Sequence, residues 1–385
     1  MSTINEMTID KAESAAAVVG VAQAQWFQRP PDEKFASLDA LIDAVENRRS
    51  RSMEVKIDSR NLRAVTADDG SLRFTGATGL LAGAGVVPSN YAFGQAAGLV
   101  GYGARELRKL NDRPDLVVSI LNHLADKRGE EVKAMVVDPV STDLDSIEPA
   151  TEPATLAALT GPDYGRIWDV DVARAAQTII DRTEGRFFSP IDWGKEKRAL
   201  FAGDRDVFLF FCDGGSIVDG GGSRDQLHRG FYMWNSEVGT RSMGISTFLF
   251  RAVCGNFGIW GAEDVRVVKI RHTSGGPERF ITEAVPALNE FVNMTAKPLE
   301  ARIKAAKAFA LPATPDKFAE FFKARGFNGA EVRRAIQFAD SEEGQHGSLW
   351  DMYNGFTAMA RHLAYADAKL DLETRAGKLL DRLDV

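Results

Sequence analysis

The period at which apolar residues recur changes several times along this chain, and each change predicts an element. Residues 8 to 50 have helical spacing: an alanine-rich segment ends at Arg29-Pro30-Pro31, and Leu38, Leu41, Ile42 and Val45 then recur at i, i+3, i+4 and i+7. From 52 to 75 alternation takes over. Met53, Val55 and Ile57 alternate with charged neighbours, Leu62 to Thr66 follows, and Asp68-Asp69-Gly70 supplies a turn before Leu72 to Thr75, so a small antiparallel meander is expected. Residues 89 to 126 return to helical spacing, broken by Gly98, Gly101, Gly103 and Pro114, and Glu131 to Val137 reads as a strand.

The stretch from Pro139 to Pro162 is acidic and rich in Pro, Thr and Ala, which predicts a long exposed loop, bounded here at 138–165. Residues 168 to 183 are helical, and Val207 to Cys212 (VFLFFC) is a short buried strand closed by Asp213-Gly214-Gly215. Gly230 to Glu237 and Ser242 to Cys254 then read as two strands joined through Val238-Gly239-Thr240, with Val265 to His272 as a third. The last hundred residues are helical. Thr314-Pro315-Asp316 predicts a helix start with a capping hydroxyl, Phe318, Phe321 and Phe322 form one stripe, and Asn328 to Glu331 and Ser348 to Asp351 look like capping boxes. The order of elements predicts an α+β fold: an antiparallel sheet core with N-terminal helices and a C-terminal helical region. The expected divisions are an arm at 1–47, an α+β domain at 48–290 and a helical region at 291–385.

With 385 residues and 44% hydrophobic composition, the chain can bury one large core or two ordinary ones without disulfides or metals. No run approaches the roughly 18 apolar residues that span a bilayer, and Met1 to Gly20 lacks the basic flank and long apolar core of a signal peptide. A cytoplasmic protein without membrane contact is expected. The net charge of -7 is unevenly placed: residues 138 to 171 hold eight acids against Arg166 alone, and the rest is neutral. Within that remainder, residues 48 to 63 carry +4 and residues 297 to 334 carry +5. Such segregation permits an anionic partner, although solvated helix faces account for it as well.

Local motifs exclude several chemistries. Gly83-Ala84-Gly85 and Gly220-Gly221-Gly222 lack the strand, lysine and hydroxyl that a phosphate loop needs. The five histidines include no i, i+4 pair and none at ligand spacing from a cysteine, so neither metal nor cofactor is expected. Cys254 with His228 or His272 could form a nucleophilic pair, but Cys212 and Cys254 both end apolar runs, where small buried thiols belong.

Arg229 to Gly261 is the densest block. On its second strand Met243, Ile245, Thr247, Leu249, Arg251 and Val253 share a face, so Arg251 sits among apolar neighbours and needs a partner, for which Glu237 is nearest in sequence. That pair is either a register-fixing clamp or part of a binding site. On the first strand Tyr232, Trp234 and Ser236 share one face, and Phe231, Met233, Asn235 and Glu237 the other. An exposed face with Tyr232 and Trp234, flanked by Arg229, Arg241 and Arg271 (and by Arg266 and Lys269), has the composition of a single-strand nucleic-acid surface; strand aromatics also commonly face a core.

Arg229-Gly230, Trp234 to Gly239, Ser242, Arg251 and Cys254-Gly255-Asn256, together with Gly347 to Trp350, Asn354, Thr357 and His362, resemble the two motifs of the phage/plasmid-like family, or domain of unknown function 932. Trp350, Asn354 and Thr357 lie at i, i+4 and i+7, on one helix face that could dock against the signature strands; Gly355 departs from the alanine typical of the motif. No established activity travels with the family, whose members sit in mobile elements near replication and recombination genes. With that setting, the interleaved arginines and aromatics of 229 to 271 and the basic stretches predict a mobile-element protein that binds nucleic acid, expected to be single-stranded DNA, as a homo-oligomer in replication or annealing-type recombination. Two alternatives stay open: an enzyme whose polar cluster is Asn235, Glu237, Arg251 and Asn256, and an assembly protein without catalysis.

Overall fold

The structure, a computed structural model, describes residues 29–76, 81, 85–110, 112–126, 129–138, 154–189, 199–214, 227–251, 256–258, 268–294, 297–360, 372, 375–380 and 383. The alanine-rich N-terminal segment, most of the acidic stretch, the Gly220 cluster, Cys254, Arg266 and His362 lie outside these residues. In chain order the first elements are β1 (Lys34–Phe35), α1 (Leu38–Ser50), β2 (Ser52–Asp58), β3 (Leu62–Thr66), β4 (Leu72–Gly76) and β5 (Val87–Pro88). Then come α2 (Asn90–Leu99), α3 (Ala104–Arg108), α4 (Pro114–Ala125), β6 (Glu131–Val137), β7 (Thr155–Thr160) and α5 (Asp169–Arg182). The strands β8 (Phe187–Phe188), β9 (Leu200–Ala202), β10 (Val207–Asp213), β11 (Leu227–Asn235), β12 (Met243–Arg251), β13 (Asn256–Gly258) and β14 (Val268–Ile270) follow. The chain closes with α6 (Gly276–Arg279), a π-helical turn, α7 (Val285–Asn293), α8 (Lys297–Ala308), α9 (Pro315–Lys323), α10 (Gly329–Glu343) and α11 (Leu349–Ala360).

The fold is α+β, as the order of elements predicts. A large antiparallel sheet runs β1-β9-β10-β11-β12-β13, with β8 also on β10 and β14 also on β12. β10 is apolar from Val207 to Cys212 without alternation, which is what burial on both faces requires. Val207, Leu209, Phe211, Phe231, Met233, Met243 and Ile245 pack under α1, α5 and α7. Leu41 and Val45 of α1 reach this core because they stand one turn apart on a helix that Ser37 caps through the Ala40 N–H. The opposite face carries Phe208, Phe210, Tyr232 and Trp234, and these are sealed too.

A second sheet has the order β2-β6-β7-β5, antiparallel except for β5 on β7. Two expectations change here. The meander expected at 52–75 divides: β3 and β4 form the hairpin, turned at Gly70 with φ +80°, but a 3-10 turn at Ser59–Asn61 sends β2 to the apolar strand β6. Thr155–Thr160, placed within an exposed acidic loop by composition, is a strand whose Leu156, Ala157, Ala158 and Leu159 are all buried. A six-residue apolar run buried on both faces has no alternation to read, and its acidic flanks conceal it.

The C-terminal helices enclose a core of their own around Phe322, Phe327, Trp350 and Phe356. Both capping boxes form. Asn328 accepts the Glu331 N–H while Glu331 accepts the Asn328 N–H, and Ser348 and Asp351 do the same. Thr314 occupies the N-cap of α9 without a side-chain bond, so Pro315 and Asp316 start that helix. Gly355 has a spatial cause: a Cβ there would overlap the Ala335 carbonyl oxygen of α10 and lie 3.0 Å from the Ala339 Cβ, so α10 and α11 touch backbone to backbone. Among the described residues, no helix is long and apolar enough to cross a membrane.

Candidate functional site

Where β11 ends, Ser236-Glu237-Val238-Gly239 turns the chain back toward β12, with Gly239 at φ +84°. The turn is fastened from three sides. From α2, the Gln95 amide donates to the Val238 carbonyl (2.8 Å) and its oxygen accepts the Leu159 N–H of β7 (2.8 Å). Tyr164 donates its hydroxyl to the Ser236 carbonyl (3.0 Å). Ser236 in turn donates to the Arg205 carbonyl (2.8 Å) and accepts the Thr240 N–H (3.1 Å). The turn thus joins the two sheets.

Glu237 points from this turn into the protein and is 2% exposed. Its Oε1 accepts the Asp169 N–H (2.9 Å) at the start of α5, where the helix dipole favours negative charge. Its Oε2 lies 3.5 Å from Arg48 Nε, and its backbone carbonyl accepts the Arg166 guanidinium. Asn235 donates to the Ile167 carbonyl (2.8 Å) and to Asp169 Oδ1 (2.7 Å). Burial, and then the neighbouring Glu237 charge, hold the Asp169 carboxyl well above its ordinary range; burial also raises Glu237, against the pull of Arg48. Two such groups titrate as a pair. Raised carboxyls suit acid–base chemistry, but Asn235, Glu237 and Asp169 are all sealed, which suits holding the turn on α5. Arg166 extends the network to Glu54 (2.8 Å), and Trp168 lies between Arg49 (3.9 Å to its ring) and Arg166 (5.6 Å).

Beside this cluster Asp206, fully buried, receives the Arg29 guanidinium, Arg241 Nη2 at 3.0 Å and Arg205 Nε at 3.8 Å. Burial lowers the Arg241 pKa, and Asp206 opposes that shift. Arg241 also lies 4.9 Å over the Phe208 ring. Its charge is therefore spent inside the fold. Arg229 is buried likewise, donating to Asp213 Oδ2 (2.8 Å) and to the Met294 carbonyl at the end of α7 (2.7 Å).

The exposed aromatic face expected on β11 is corrected. Tyr232 and Trp234 are 1% and 0% exposed and stack on each other (ring centroids 5.2 Å apart), with Phe210 on the far side of Tyr232 (5.2 Å). Of the five residues expected to contact nucleic acid, Arg271 is exposed and Arg241 partly so; Arg229, Tyr232 and Trp234 are interior. The Glu237–Arg251 clamp is corrected too. The register pairs Trp234 with Gly244 but Leu227 with Arg251, so Arg251 stands eight residues beyond Met243 at the turn end of β12, about 25 Å along the strand from the turn that holds Glu237. Asn256 pairs with Arg251 at that far end, so the cluster of Glu237, Arg251 and Asn256 is not assembled. Asn235 and Glu237 do meet, through Asp169.

The partners absent from the sequence reading are Asp169, Arg48, Arg166 and Asp206. Their signals were present but ambiguous: Arg48 opens a basic run, and Arg166 is the lone base in an acidic stretch. The second motif lies on a helix that is buried at every position. Trp350, Asn354 and Thr357 are buried on α11, which meets β13 of the signature block. Trp350 stacks on Tyr353 (5.1 Å), and Thr357 donates to the Asn354 carbonyl (3.0 Å). Cys212 is a buried thiol whose pKa burial pushes up, so it is not an activated nucleophile. Among the described residues, no group of three His, Cys, Asp or Glu side chains could hold a metal ion.

His272 gives this junction a pH dependence. Its Nδ1 sits between the Ile167 N–H (3.3 Å) and the Gly165 carbonyl (3.2 Å), its ring stacks on Tyr164 (4.9 Å), and Nε2 is buried without a partner. Burial lowers its pKa from 6.5 to about 4, with the nearby Arg166 charge adding to the effect. A depressed folded pKa stabilises the fold above the unfolded value, and that contribution drains away as pH falls from 6.5 toward 4; a shift of this size is worth at most about 3 kcal/mol. Asp169 and Glu237 act in the opposite sense, because protonation suits their burial. The change in urea midpoint from mildly acidic to neutral pH, taken with its sign, will therefore be more positive in the wild type than in His272→Gln, and equal changes would refute this assignment.

A family model described as a domain of unknown function, DUF932, matches residues 158–383, which contain the signature turn, α5 and the C-terminal helices. No curated protein and no solved structure matches the chain.

Proposed function

Since the chain belongs to the DUF932 family, whose activity is unknown, we propose on physical grounds that it binds nucleic acid and that its signature block is the scaffold for this rather than the contact surface. One observation carries the proposal. In the basic stretch 297 to 334, Lys304, Lys317, Lys323, Arg333 and Arg334 are exposed, and among the described residues none of them has a carboxylate partner. By contrast, the arginines of the signature block, Arg229 and Arg241, are paired with Asp213 and Asp206. Unneutralised cations are what a polyanion displaces counterions to reach. An enzyme built on Glu237, Arg251 and Asn256 is not favoured, since those residues lie at opposite ends of one hairpin. A phage or plasmid setting, and with it a place in replication or annealing, rests on the resemblance of the signature motifs alone.

Fluorescence anisotropy of a labelled oligonucleotide across a salt series tests the proposal. Roughly micromolar binding at low salt is expected, weakening linearly in log–log form as salt rises. Absence of binding at the lowest salt would remove it.

A further inference from the structure

We propose that Phe309 and Phe321, with the cations around them, form a stacking platform for single-stranded DNA. This rests on the nucleic-acid reading above and gives it a place on the molecule. Phe309 is 36% exposed, immediately after α8. An exposed large aromatic is usually carried on a yielding loop, but this one is not. Its N–H donates to the Ala305 carbonyl (2.8 Å), its own carbonyl accepts the Leu349 N–H (3.0 Å), and the next two residues continue the attachment through the Ala310–Ser348 bridge and the Leu311 N–H to Gly347 (2.9 Å). The ring is thus presented by a fixed backbone, which lowers the ordering cost of using it.

Phe321 of α9 stands beside it, ring centroids 5.8 Å apart, and is partly exposed. The Arg325 guanidinium lies 3.6 Å over the Phe321 ring, held there by a bond from Nη1 to the Phe321 carbonyl (3.0 Å). Lys317, one helical turn before Phe321 and hence on the same side of α9, is exposed. Bases stack on aromatic rings and on guanidinium planes, while lysines of this kind neutralise the phosphates between them. A duplex hides the faces of its bases, so a stacking surface selects single strands. A purely apolar protein partner on these rings would leave the Lys317 charge and the Arg325 guanidinium beside them unanswered.

The test uses the full chain with labelled oligothymidylate, a DNA duplex of equal length and oligouridylate, and compares wild type with Phe309→Ala, Phe321→Ala and Lys317→Glu. Wild type should bind oligothymidylate more tightly than the other two. Phe309→Ala should weaken that binding roughly tenfold, and Lys317→Glu should flatten its salt dependence. Phe321 also packs on the core, so should Phe321→Ala fail to fold, the two surface variants Phe309→Ala and Lys317→Glu still decide the matter. Unchanged affinity in both of them, or tighter binding of duplex or oligouridylate, overturns the platform while leaving nucleic-acid binding in place. Light scattering that shows Phe309→Ala splitting an oligomer, with DNA affinity unaltered, also overturns it, in favour of a contact between copies. If wild type binds none of the three probes, both the platform and the reading beneath it fall.

Discussion

Asp206→Ala will cost about 3–5 kcal/mol of folding stability, the cost typical of deleting one partner of a buried ion pair. The carboxylate is fully buried and receives Arg29, Arg241 and Arg205. Without it, guanidiniums that now share one anion face each other where water screens them poorly. Their contributions are unequal. Arg205 is 38% exposed and can turn to solvent, so its share is small, and the loss comes chiefly from Arg29 and Arg241, whose side chains are 6% and 11% exposed. Glu33, 3.3 Å from Arg29, compensates in part on that side only. Asp206→Asn keeps two hydrogen-bonding positions and loses the charge, and should fall between wild type and alanine. Urea unfolding of the three proteins measures this. A loss below about 1 kcal/mol for the alanine variant would mean that the arginines escape to water and that Asp206 does not organise them.

The second large effect needs only one methyl group. Gly244 faces Trp234 directly across β11 and β12, and the indole lies flat over it, so an added Cβ would overlap ring atom Cζ2. The indole cannot swing clear, because it is fully buried and stacked against Tyr232. Gly244→Ala should cost about 2–3 kcal/mol through overpacking, and Trp234→Phe a comparable amount through the void it leaves. Combining the two should restore part of the loss, with a coupling of about 1 kcal/mol or more, since the smaller ring makes room for the methyl. Strict additivity in thermal or urea unfolding would show that the two residues do not share this space.

Much of the local architecture was legible in the sequence because local signals specify it. Strand alternation assigned the faces of β11 and of Met243 to Ser246 in β12 correctly, and the spacing of Asn328 with Glu331 and of Ser348 with Asp351 identified two helix starts. Alternation says which residues share a face but not what covers that face, and so Tyr232 and Trp234 could be read as a surface. The Glu237–Arg251 error has a geometric origin. In an antiparallel hairpin, proximity in space follows symmetry about the turn and not separation in sequence, and Glu237 is in the turn while Arg251 is at the open end. The true partners, Arg48, Arg166 and Asp169, come from separate elements that no periodicity connects to β11.

The bond between Arg29 and Asp206 also sets a clock. The two residues are separated by 177 positions, so a ribosome adding about 5–20 residues per second makes the arginine roughly 10–35 seconds before its carboxylate exists. During that wait α1 and then the smaller sheet are synthesised while β10, β11 and β12 are not, and until α5 emerges the apolar stripe of α1 has none of its core partners to cover it. The nascent chain is therefore most vulnerable to aggregation and to chaperone capture midway through its own translation, and slowing elongation before codon 206 should lengthen that exposure.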